Sequence, residues 1–295
     1  MKLKKKKNKI EVFDIALVII MLFIVGITLY PFLNVLAISL NDAGDTVKGG
    51  IHIWPRVFTL KNYEEIFSGS SKLPMAFVNS VLRTVIGTVT GVLATTMLAY
   101  TLSRRDFIFN KFVTILFIVT MYVSGGLIPE YLVIRKLGLV NNFAVYILPT
   151  LISAFNVIVV RAFMDGLPEA LYESAAIDGA NDWVVFRKIV FPLSLPVIAT
   201  VALFIAVGQW NSWFDTYIYA RTNDSLTTLQ YELKKIMDNA AATVDIHNPT
   251  LQQARSNPES IKMAITIVAT VPILMVYPFV QKYFVSGMTL GAVKS

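Results

Sequence analysis

The sequence contains no cysteine. Disulfides, thiolate nucleophiles and cysteine-held metals are therefore all excluded. Histidine is nearly as scarce. His52 and His247 are the only two, they lie in separate polar stretches, and two isolated imidazoles do not make a metal site. Charge is thin too: Asp, Glu, Lys and Arg make up 15% of 295 residues, against about 25% in ordinary soluble domains. No Gly-x4-Gly-Lys-Ser/Thr phosphate loop occurs. The apolar blocks hold almost no acids or histidines, which argues against a membrane-embedded enzyme and against a proton- or sodium-coupled carrier. Nor do the two halves show an inverted hydropathy repeat.

What is abundant is apolar sequence, 55% of the chain. It falls in blocks near the length of about 20 residues that crosses a hydrocarbon core. The spacing predicts an all-α membrane protein with six transmembrane helices: Ile15–Leu40, Met75–Leu102, Phe112–Ile128, Phe143–Phe163, Leu193–Trp213 and Ile261–Val280. Each must be helical, because lipid offers no partner to a backbone amide. Residues 1–14 form a basic N-terminal segment and residues 15–295 the transmembrane domain. The block after the lysine run Lys4–Lys7 is too long for a signal-peptide core and lacks a small-residue cleavage site, so it reads as a retained span. Pro31, Pro272 and Pro278 lie within spans, where each removes a backbone hydrogen bond and is expected to kink its helix.

Net charge is +7, but no basic stripe is interleaved with stacking aromatics, so nucleic acid is not a partner. The basic residues flank the blocks. Arg104, Arg105, Lys111, Arg161, Arg187, Lys188, Lys282 and Lys294 share a side with the lysine run. By the positive-inside rule that side is the cytoplasm, and both termini lie there. The long loops Asn41–Lys72 and Tyr219–Ser260 then face outward. In the second, Leu229–Met237 can form a short helix, with breaks at Asn248-Pro249 and Asn257-Pro258.

The cytoplasmic loop 167–192, LPEALYESAAIDGANDWVVFRKIVFP, differs from the other flanks. Pro168 and Glu169 suit a helix start. Asp178-Gly179 breaks that helix, and Asn181 or Asp182 can cap a second one, which carries Trp183, Phe186 and Ile189 on one face before Pro192 ends it. The loop is therefore a helix–turn–helix wedge suited to a groove on another protein. Ala175, Ala176, Gly179 and Ala180 are expected on its outside.

Here the chain resembles the permease subunits of ABC importers, whose cytoplasmic loop carries Glu-Ala-Ala, three residues, Gly, nine residues, then Ile-x-Leu-Pro. Glu173, Ser174 and Ala175, then Gly179, then Ile189 to Pro192 stand at that spacing, with Ser174 and Phe191 as mild departures. Asn79-Ser80, Ala99–Arg104, Trp210-Asn211 and the tail Tyr277–Lys294 are similar to the oligosaccharide-type carbohydrate permeases partnered with lipoprotein-type binding proteins, a group frequent in Gram-positive bacteria.

The resemblance implies the type I ABC importer permease fold in a bacterial plasma membrane. It implies a second homologous permease, two cytoplasmic ATPase subunits, an external solute-binding lipoprotein and a sugar cargo. No cofactor is bound by this chain; ATP and magnesium belong to the ATPase. It also implies that Glu173, Ser174, Ala175, Asp178 and Gly179 form the ATPase-coupling contact. Sugars need hydroxyl partners and aromatic faces. Gln209, Trp210, Asn211 and Asp215 are the first pathway candidates, followed by Asn156 and Ser153, then Tyr122 and Ser124. Trp213 and Tyr217 also fit an interfacial aromatic belt. Arg83 is expected to snorkel to the outer interface. An ABC permease for a peptide or amino acid is the alternative reading.

Overall fold

A computed structural model describes residues 12–67, 72–243 and 258–292. In chain order the helices are α1 (Val12–Ser39), α2 (Ala43–Thr46), α3 (Lys61–Phe67), α4 (Leu73–Ser103), α5 (Asn110–Tyr122), α6 (Leu127–Lys136), α7 (Ala154–Asp165), α8 (Ala170–Ile177), α9 (Asp182–Val185), α10 (Phe191–Leu193), α11 (Leu195–Asn211), α12 (Phe214–Tyr219), α13 (Leu229–Thr243) and α14 (Pro258–Ala292). Two compact units form, Met1–Ser68 with Ile236–Val268 and Gly69–Lys235 with Ala269–Ser295.

In the first unit, α1 exposes an apolar surface along residues 12–32, as a lipid-facing helix does. The chain then turns on a buried polar hub. Asn41 Nδ2 donates to Asp45 Oδ2 at 3.2 Å and to Thr46 Oγ1 at 3.1 Å, while its Oδ1 accepts from the Arg56 and Val57 amides, both at 2.8 Å. Every polar atom of this amide is matched, which is what a buried polar side chain requires.

The second unit is built on α4, which packs against α7 and α11. Lipid is as apolar as leucine, so close contact rather than hydrophobic transfer holds such helices together. Gly87 and Gly91 provide that contact on α4. A Cβ at Gly87 would lie 2.9 Å from the Gln209 side chain, and one at Gly91 would lie 3.3 Å from Ile205. The core gathers Ala99, Tyr100 and Leu102 of α4, Val157, Val160 and Met164 of α7, Ala175 of α8, Val185 and Phe186, and Val197, Ile198 and Val201 of α11.

Among the described residues three helices are long and apolar enough to cross a membrane: α1, α4 and the Glu259–Val276 stretch of α14. The Asp182–Leu193 and Leu195–Asn211 segments also qualify together but meet at an 81° bend. The predicted third and fourth spans differ from a simple helix. α5 has 13 residues, short of the roughly 20 that a crossing needs. Beyond it, residues 123–126 leave the helix, and Gly126 sits at φ 87°. The predicted 143–163 helix is a 3-10 turn at Phe143–Tyr146 followed by α7 of 12 residues. Between them Pro149 lacks an amide donor and disfavours helix at the residue before it. Hydropathy sees neither break.

α1 and α14 run on through Pro31, Pro272 and Pro278. Pro192 does not end its helix either. A five-residue π turn, Phe186–Val190, precedes it, with the Phe191 amide bonding back to the Phe186 carbonyl. The wider turn gives the proline ring room over the previous turn. The helix continues to Leu193 and bends at Ser194. In the 219–260 loop, the predicted short helix extends to Thr243. The lysine run Lys4–Lys7, His247, Asn248-Pro249 and Asn257 lie outside the described residues, as do the tail side chains of Tyr277 and 279–295.

Candidate functional site

The wedge forms as a pair of short helices. α8 ends in a Schellman turn. The Ala180 amide donates to the Ala175 carbonyl at 2.9 Å and the Gly179 amide to the Ala176 carbonyl at 3.0 Å. Gly179 takes φ 72°, the left-handed conformation that such a turn needs at that position. Asn181 then caps α9, its Oδ1 accepting from the Val184 amide at 2.9 Å.

Glu173, Ser174, Asp178 and Gly179 face outward, and so does Ala176. Ala175 does not. It is buried against the α4 and α7 core, so it sets how closely the wedge sits, and the exposure expected of it is corrected. Phe186 is likewise buried, packed at 5.2 Å on Tyr100, whereas Trp183 stays exposed. Ile177, 86% exposed, is the most prominent apolar side chain of α8.

Beside the wedge lies a cleft of about 610 Å³ lined by Arg104, Arg105, Arg161, Asp165, Glu169, Tyr172 and Glu173, among others. Arg161 reaches Thr114 at 2.5 Å and Asn110 at 3.1 Å, tying α7 to α5. Burial pushes the Asp165 carboxyl up, and Arg161, 3.4 Å away, works against that shift. Arg105 pairs with Glu169 at 3.1 Å.

A second polar cluster lies at the other end of α11. Its hub is Arg83 of α4, only 1% exposed. Its guanidinium meets Asp215 through both oxygens, at 3.1 and 2.5 Å. Its Nε donates to Gln209 Oε1 at 3.0 Å and a further nitrogen to the Ser212 carbonyl at 3.3 Å. The ring of Tyr146 lies 4.5 Å beneath. Gln209 is saturated from its other side, its Nε2 donating to the Tyr146 carbonyl at 3.0 Å and to Thr150 at 2.9 Å. The snorkelling expected of Arg83 is thus overturned: Asp215 and Gln209 stand at its own depth and satisfy the charge inside the protein. A cation, a carboxylate and an amide in otherwise apolar spans each need a partner inside the protein, but no local pattern names which residue that partner is.

The remaining pathway candidates are dispersed. Trp210 turns inward, donating from Nε1 to the Ala269 carbonyl at 2.8 Å and meeting Phe77 edge-on. Asn211 is exposed and accepts from Gln230 at 3.3 Å. Ser153 caps α7 through the amide of Asn156, whose side chain is buried. Tyr122 and Ser124 are exposed at the end of α5. Trp213, Phe214, Tyr217 and Tyr231 form a run of ring contacts, with Lys234 5.6 Å over Trp213.

Several long apolar helices, one of them packed through glycine contacts, and a capped wedge set between α7 and α11 define the class as a multi-pass membrane protein with a docking loop. The chain belongs to the family described as binding-protein-dependent transport system inner membrane component, whose model matches residues 87–290. It is therefore a transport subunit and not itself an enzyme. It is 39% identical to the polygalacturonan/rhamnogalacturonan transport system permease protein YtcP of Bacillus subtilis, over 98% of this chain and 99% of that one. It is 40% identical to Protein LplC of the same organism, over 96% and 95%. Its fold matches a crystal structure of a bacterial ABC transporter involved in the import of the acidic polysaccharide alginate, at a TM-score of 0.82 and 25% identity, covering 96% of this chain and all of that one.

Proposed function

We propose that this permease forms half of an oligosaccharide import pathway and is driven by a separate ATPase that docks on the 167–192 wedge. The observation that carries the reading is the wedge itself. It is a capped helix pair that presents Glu173, Ser174, Ile177 and Asp178 outward while Ala175 and Phe186 anchor it to the helix core. A surface of that shape suits a groove on a partner. A second homologous permease completes the pathway, two ATPase subunits bind ATP and magnesium, and an external binding lipoprotein delivers the cargo. The wedge and both termini face the cytoplasm, in keeping with the placement of Lys and Arg.

The relatives' cargoes favour a polysaccharide-derived oligosaccharide. In the pathway, Gln209 and Asp215 shape the wall through Arg83, and exposed Asn211 is placed to meet a sugar hydroxyl. Asn156, Ser153 and Tyr122 line it further along, and Trp210 braces α11 from behind. Uptake by the reconstituted complex tests the reading. A labelled oligogalacturonide is expected to enter only with ATP and this chain present, and a labelled peptide to stay out. Peptide uptake without sugar uptake would shift the assignment to the alternative cargo.

A further inference from the structure

We propose that Arg104 is a positioning residue that fastens both helices of the wedge to the end of α4, so that α4 moves whenever the wedge moves. The proposal rests on the coupling reading above. The wedge is covalently continuous with α7 before it and α11 after it. Nothing in the chain order joins it to α4, which ends about 70 residues upstream by the numbering. Yet α4 carries the two glycine contacts and Arg83, and so is the helix most engaged with α11.

Arg104 supplies the missing connection. It follows the last residue of α4 in extended backbone, with φ −76° and ψ 127°, its amide still bonded to the Thr101 carbonyl. The guanidinium lies 5.0 Å over the ring of Tyr172 on α8. Its Nε sits 3.8 Å from Asp182, the first residue of α9, and 3.4 Å from Asp106. The Tyr100 hydroxyl donates to the same Asp182 oxygen at 3.3 Å. One cation thus touches both wedge helices, with a cation–π contact on one and an ion pair on the other.

The kind of contact matters. Arg104 Nε is buried and has no hydrogen-bond partner among the described residues. Its attractions are ionic and quadrupolar, and these tolerate tilt better than a directional hydrogen bond does. A joint of this type passes on displacement while letting the wedge rotate. The folding role lies elsewhere. Tyr100, Leu102, Ala175, Val185 and Phe186 hold the wedge to α4 by apolar packing whether or not the charge is present.

This chain has no native cysteine, so with cysteine-free partner subunits the labels sit only where they are introduced. Met97→Cys on α4 and Arg187→Cys in the wedge, both exposed, take paired spin labels in the assembled transporter. With Arg104 intact, the label-to-label distance is expected to stay single and narrow with and without ATP plus vanadate. In Arg104→Gln it is expected to broaden on ATP plus vanadate, and ATP hydrolysed per oligosaccharide imported to rise about fivefold, the size that one lost cation–π contact and ion pair support. Tyr172→Phe keeps the ring and should match the parent, while Tyr172→Leu should follow Arg104→Gln. Arg104→Lys keeps charge but not the planar stack, and should fall between. An unchanged distance and an unchanged ratio in Arg104→Gln overturn the proposal. Docking of the wedge on the ATPase is read separately by ATPase co-purification, so loss of that contact indicts the coupling reading instead.

Discussion

Gly179→Val is expected to leave the protein in the membrane and reduce transport about tenfold or more. The reasoning is conformational. Gly179 holds φ 72°, and nothing lies within 4 Å of where a Cβ would be built, so no clash contributes. The penalty is that of a left-handed residue carrying a side chain, roughly 1–2 kcal/mol before β-branching adds more, and each 1.4 kcal/mol is about tenfold in a population. The wedge recovers that energy by opening its turn. Opening breaks the Ala180–Ala175 and Gly179–Ala176 bonds and swings α9 away from the outward face of α8. The core helices are untouched. Gly179→Asn, which tolerates the left-handed region, is expected near the parent and Gly179→Ala between the two. Uptake rate, normalised to the amount inserted, measures it; full transport in Gly179→Val would remove the turn from the mechanism.

Asp215→Ala is expected to destabilise the isolated protein by about 3–5 kcal/mol, because it strands a buried guanidinium. Arg83 cannot shed its charge, and Gln209 and Ser212 satisfy only part of it. Arg83→Met should cost less, since a stranded carboxylate can take up a proton where a guanidinium cannot lose one. The double variant Arg83→Met/Asp215→Ala should recover part of the loss. A coupling of about 0.5–3 kcal/mol is expected for groups in one network. Unfolding free energies in mixed micelles test this, and strict additivity of the two single changes would mean that the ion pair has no energetic reality.

The wedge was legible in the sequence because everything it needs is local. Pro168, Gly179, Asn181 and the Glu173-to-Pro192 spacing all lie within the 167–192 loop, and Gly179 and Asn181 act through helix caps. The α4 hub was not legible, because Arg83 meets partners 126 and 132 positions away, and no local pattern fixes that distance. The same holds for Gly87 and Gly91, whose purpose shows only when Gln209 and Ile205 arrive against them. The helix breaks within the third and fourth apolar blocks were hidden for another reason. Their hydropathy is that of a span, but Gly126 and Pro149 are backbone instructions that a hydropathy window averages away. Ala175 shows the limit at the wedge itself: its spacing marked the motif, and only packing revealed that it faces inward.

The most direct measurement places this chain's one thiol at Ile177→Cys, the apolar tip of α8, in a transporter assembled with partner subunits freed of surface cysteine. This thiol is expected to be shielded from a membrane-impermeant reagent added outside intact cells, and to crosslink to the ATPase subunit. Labelling from outside, or an intact complex in which the thiol reaches no ATPase, would contradict a cytoplasmic, ATPase-docked wedge.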